Sequence, residues 1–184
     1  GLRLSGSTFE TTDFTSPTVS LTINGGDGSD TVTIIGTLDL VGAKFVINVE
    51  HIVVSSGASV TAKEITLNAQ QATSGGPALD ADCLLLPATH CANASVSVDD
   101  ASLTAEKLTL TAAASVVPDA AHATAYAVIV HSDAAVDVTG ASHLRATAGD
   151  AVLTATSTVG PVTLDKKYGD AAIVFSNAAV TVGG

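Results

Sequence analysis

The chain has 184 residues, 46% hydrophobic but only 3% aromatic and 14% charged. Its 18 Asp and Glu against 7 Lys and Arg give a net charge of -11, which repels phosphate backbones and argues against nucleic acid as a partner. The longest apolar runs are far too short to span a bilayer, so no membrane insertion is expected.

Ala, Val, Leu and Ile supply the apolar mass, which suits a thin core of stacked small side chains, and the length suits one domain over residues 1–184. The chain opens on Gly with no charged and apolar leader, so a mature or trimmed fragment is expected, with any export signal outside it. Leu2 and Leu4 alternate with Arg3 and Ser5, and Val19, Leu21 and Ile23 with Ser20 and Thr22. Both stretches read as strands, separated by the Ser16-Pro17 break. A tight turn, GGDGSD, follows from Gly25 to Asp30.

From Thr31 to Gln70 the chain divides into apolar rungs of about seven residues, each too short for a helix face and suited to a narrow strand. Three rungs make one turn of a β-solenoid, so coils of about 20 residues are expected near 31–70, 94–114, 127–157 and 171–184. Interruptions rich in Gly, Pro or Ala fall near 71–93, 115–124 and 158–170; they read as inserted loops, the second able to hold a short helical turn. Alternation points Val96, Val98, Leu103, Leu108 and Leu110 inward, with Ser97, Thr104 and Thr109 outward.

An internal repeat supports this reading. GASVTAKEITLNA (57–69) and DASLTAEKLTLTA (100–112) match at seven of thirteen positions, 43 residues apart, and AVIVHSDAAVDV (127–138) aligns with AAIVFSNAAVTV (171–182) 44 residues on. The spacing predicts two coils plus one corner insertion per repeat. Neither the Trp-Asp signature of WD40 blades nor the Leu/Asn ladder of leucine-rich repeats is present. The expected fold is all-β, a right-handed parallel β-helix, with a β-sandwich as the alternative.

Gly25 to Thr33 fits the nine-residue pattern G-G-x-G-x-D-x-U-x at every fixed position. In this it resembles the calcium-binding repeats of repeats-in-toxin proteins. That resemblance implies Asp27 and Asp30 as Ca²⁺ ligands, although a single copy supplies half a site. The run from Val19 to Gln70 also looks like repeat modules of giant secreted bacterial surface proteins, including haemagglutinin-like adhesins. The resemblance implies a parallel β-helix, an extracellular or cell-surface location and an adhesive or structural role, and carries over no catalytic residue.

Cys83 and Cys91, the only cysteines, share one interruption and are expected to form a disulfide; with His90 they make a poor Zn²⁺ set. Of His51, His90, His122, His131 and His143, His131 occupies the repeat position of Phe175, which favours packing. Asn93-Ala94-Ser95 fits a glycosylation sequon, a frequent chance match. A polysaccharide-degrading β-helix would need converging carboxylates, yet Asp133, Asp137, Asp150 and Asp165 fall on different corners. Only Tyr126 and Tyr168 could stack on sugars as tyrosines do. Thr66, Thr109, Thr111, Thr154 and Thr156 point outward and could form a flat ice-binding array, but the same Thr are also ordinary outward strand residues, without a regular Thr-x-Thr on consecutive coils.

AAVTVGG at the C-terminal end followed by LRLSGS at the start continues the rung phase, so end-to-end self-association through Leu2, Leu4, Val180 and Val182 is expected. The functional expectation is a non-enzymatic secreted module that stacks head-to-tail or forms part of a giant adhesin, with a host or surface glycan or protein as a further partner.

Overall fold

A computed structural model describes residues 2–6, 11–26, 28–74, 89–117, 127–160 and 171–183. It is all-β, with fourteen strands and no helix among the described residues. A small antiparallel hairpin pairs β1 (Leu2–Leu4) with β2 (Thr12–Phe14). The other twelve strands are β3 (Ser20–Asn24), β4 (Thr31–Ile34), β5 (Thr37–Val49), β6 (His51–Val54), β7 (Ser59–Ser74), β8 (Thr89–Asp99), β9 (Ser102–Ala105), β10 (Lys107–Val117), β11 (Ala127–Thr139), β12 (His143–Ala146), β13 (Ala151–Val159) and β14 (Ala171–Val182). They form two parallel sheets, neither of which closes on itself. Parallel pairing throughout departs from the antiparallel pairing of a β-sandwich.

The chain visits the same positions in the same order on each pass. The first halves of β5 and β7 lie in line with β9 and β12, while their second halves lie in line with β3, β10 and β13. β5 bends between the two at a register shift from Leu40 to Lys44, where Gly42 has a φ of 89° that a side chain would resist. The second sheet runs β4, β6, β8, β11, β14. Ser20 lies beside Lys44, Lys44 beside Glu64, Glu64 beside Lys107 and Leu108 beside Ala151. The steps are therefore 24, 20, 43 and 43 residues.

The early passes have the expected length of about 20 residues, but the 43-residue repeat is a single pass rather than two. The extra residues widen the sheets: β7, β8, β10, β11, β13 and β14 run 9 to 16 residues, against 4 in β4 and β6. The expected loops are correspondingly shorter, since residues 71–74, 89–93, 115–117 and 158–159 are strand. Ser115 to Val117 is extended, not helical; the rest of that stretch lies outside the described residues.

Register places like over like in the core. Leu21, Phe45, Ile65 and Leu108 form one inward column and Ile23, Ile47, Leu67 and Leu110 a second. Val32, Ile52, Val96 and Val136 form a third on the facing sheet. Val96, Val98, Leu103, Leu108 and Leu110 are all 0% exposed, as alternation requires. Burying a side chain of this size contributes roughly 1.5–3 kcal/mol, which drives the stacking. Where the sheets widen, the interior changes to small residues: Ala69, Ala112 and Ala114 on one sheet and Ala92, Ala94 and Ala134 on the other are buried. Both repeat alignments are observed as strand registers, Ser59 beside Ser102 and Ala127 beside Ala171.

Candidate functional site

The Gly25–Asp30 turn is built by hydrogen bonds within itself and to the next pass. Gly26 N donates to Asp30 Oδ2 at 2.9 Å, Gly25 N to Asn48 O at 2.8 Å, and Asp30 N to Glu50 Oε2 at 2.9 Å. His51 N donates to Asp30 O at 3.0 Å. A Cβ on Gly25 would meet Asp30 Oδ2 at 2.9 Å and Val49 Cγ1 at 3.2 Å, so close packing selects glycine there. Glu50, 20 residues after Asp30, was not singled out by sequence pattern; that 20-residue step between passes is the signal that finds it.

These carboxylates receive backbone N–H groups, whereas Ca²⁺ takes six to eight oxygen ligands. Asp27 lies outside the described residues, so Asp27 and Asp30 are not brought together among them. No group of three or more His, Cys, Asp or Glu converges among the described residues.

Cys91 is only 3% exposed, and no free cysteine occurs among the described residues. Cys83, its expected partner, lies outside them, and so does the side chain of His90. His131 sits beside Phe175 in the register, as the repeat predicts. His51 Nδ1 lies 3.0 Å from Ser95 Oγ on the outward side of the second sheet. A nucleophile–base pair requires this distance, and neither residue lines either of the two grooves described next. Asp133 accepts from Asn177 Nδ2 at 3.0 Å, a strand-to-strand bond.

Two open grooves meet at Thr104 along the β7, β9 and β12 side. One, of about 450 Å³, is lined by Val41, Thr61, Lys63, Thr104, Glu106 and Thr147. The other, of about 610 Å³, is lined by Ser102, Ser142, His143 and Arg145 among others. The first sets Lys63 and Glu106 among hydroxyls, the second sets Arg145 among them, and neither brings a carboxylate pair together. Among the described residues, no helix is long and apolar enough to cross a membrane.

At the ends, Leu2 and Leu4 lie on the antiparallel hairpin rather than on an edge of the parallel stack, and Leu2 packs on the core. Arg3 bridges Asp13 at 2.7 Å across that hairpin. The parallel edge nearest the start of the chain is instead β3 and β4. Val180 and Val182 are 45% and 71% exposed, although Val136 and Val138, beside them in the same columns, are buried.

Comparison with known protein families, curated proteins and solved structures finds no match.

Proposed function

We propose that this chain is a non-enzymatic structural or adhesive repeat module of a secreted surface protein, folded as a right-handed parallel β-solenoid. The observation that carries this reading is the register: five passes place the same class of side chain over the last, column by column. One pass cannot bury its own inner face, so such a chain is stable only as a stack, and stacking is what its sequence is organised to do.

The partner this reading implies is a host or surface glycan or protein. Val180 and Val182, exposed members of otherwise buried columns, support axial association. A Cys83–Cys91 disulfide would fit an oxidising, extracellular compartment.

Electron microscopy and sedimentation of the purified protein, with Ca²⁺ and with a chelator, test the reading. Axial oligomers or fibres of one cross-section that disappear with Val180→Lys and Val182→Lys support it. Assembly lost on chelation adds a working ion at Asp27 and Asp30. A monomer that degrades a polysaccharide overturns it in favour of an enzyme, and a monomer that binds one saturably makes it a binding module.

A further inference from the structure

We propose that the outward face of β7, β10 and β13 is an ice-binding surface. Three adjacent strands run there in unbroken parallel register, with Thr66 beside Thr109, Thr111 beside Thr154 and Ser115 beside Thr158. Thr109-x-Thr111 and Thr154-x-Thr156-x-Thr158 therefore lie on consecutive passes, offset by one pair, a regularity hidden in the sequence by the 43-residue step. Thr154, Thr156 and Thr158 are exposed. Among the described residues no side-chain hydrogen bond within the protein engages the hydroxyls of Thr109, Thr111, Thr154, Thr156 or Thr158.

The face also carries no charge. In a chain with 25 Asp, Glu, Lys and Arg, none falls within 65–74, 108–117 or 151–160. Glu64, Lys107 and Asp150 stand just before these segments, at one border of the patch. Charged groups hold hydration shells in geometries foreign to ice; neutral hydroxyls paired with methyls can join ordered water while keeping it in place. Parallel strands about 4.8 Å apart, with same-face residues about 6.6 Å apart along each strand, set these groups on a rectangular grid. Both spacings are close to oxygen repeats on faces of hexagonal ice.

Other occupants fit less well. No aromatic ring lies on these segments to stack on a sugar. The patch of three strands by eight residues covers roughly 400 Å², about half of what each partner contributes to a standard protein interface. The inference uses the same stacked register as the structural reading but neither its location nor its self-association.

Ice-affinity partition and recrystallisation-inhibition assays on the purified chain test it. The expected result is enrichment of the protein in slowly grown ice. Thr154→Lys combined with Thr156→Lys should lose that enrichment with circular dichroism unchanged, whereas Thr181→Lys on the other sheet should keep it. Exclusion of the unmodified protein from ice would overturn the proposal, as would lysine variants that partition equally well. A dimer broken by the same two substitutions, without ice enrichment, would instead reassign the face to self-association.

Discussion

Asn24 and Asn48, on adjacent passes, are joined by a 2.8 Å hydrogen bond from Asn48 Nδ2 to Asn24 Oδ1. Asn48 Oδ1 in turn accepts from Asn68 Nδ2 at 3.2 Å, so Asn48 is the middle of a three-strand amide ladder. Asn48→Ala breaks both links and is expected to cost about 1 kcal/mol, since water partly replaces bonds on a half-exposed face. Asn24→Ala breaks one link and should cost less. Urea unfolding of both variants checks the order; equal midpoints would mean the ladder contributes nothing beyond its end members.

That ladder was legible in hindsight: Ile23-Asn24, Ile47-Asn48 and Leu67-Asn68 repeat an apolar-Asn step at the spacing of one pass. Alternation alone identified Val96, Leu103 and Leu110 as core, because β-branched and aliphatic residues at period two have one buried face to fill. The widened sheets were not legible. Their added residues include Ala72, Ala92 and Asn93, types with weak strand preference that resemble a loop until a neighbouring strand pairs with them. The hairpin was hidden for another reason: Leu2-Arg3-Leu4 alternates like any rung, and only the Arg3–Asp13 pairing marks it as antiparallel.

The two halves of the interior should respond oppositely to changes in size. Leu110, fully buried between Leu67 and Leu153, is expected to lose about 2–5 kcal/mol on replacement by Ala. Ala112, two residues on and equally buried between Ala69 and Ala155, has no such space. Ala112→Leu should destabilise by about 1–3 kcal/mol through overpacking. Thermal and urea unfolding measure both; an Ala112→Leu variant as stable as the parent would show that the sheets can separate there freely.

Stability should fall in acid partly through Glu64. Lys44 Nζ lies 2.8 Å from Glu64 Oε2, and this hydrogen bond chiefly holds the carboxyl below its ordinary value of 4.5, aided by the charges of Lys44, Lys63 and Lys107. The folded chain therefore binds this proton more weakly than the unfolded one. The contribution is complete above 4.5 and is lost as pH falls through the lowered folded value. Solvent screening keeps it small. Glu64→Gln should flatten the decline in urea midpoint below that range relative to the parent, and added salt should shrink the difference. A parallel pair of curves would place the acid sensitivity elsewhere.

Ser157 is expected to act as a polar latch between the two sheets. Its Oγ lies 2.8 Å from both the carbonyl and the hydroxyl oxygen of Ser132, and 2.9 Å from Ser176 Oγ. Ser132 is 0% exposed, so water cannot replace a partner lost there. Ser157→Ala should cost about 1–3 kcal/mol by leaving the Ser132 hydroxyl unsatisfied. Removing both hydroxyls leaves no orphan, and the small pocket already suits the alanines that surround it. The Ser132→Ala/Ser157→Ala double variant should therefore lose clearly less than the sum of the singles, with a coupling of about 0.5–3 kcal/mol. Strictly additive losses would mean that each serine bonds independently, and that the sheets are held there by the alanine columns alone.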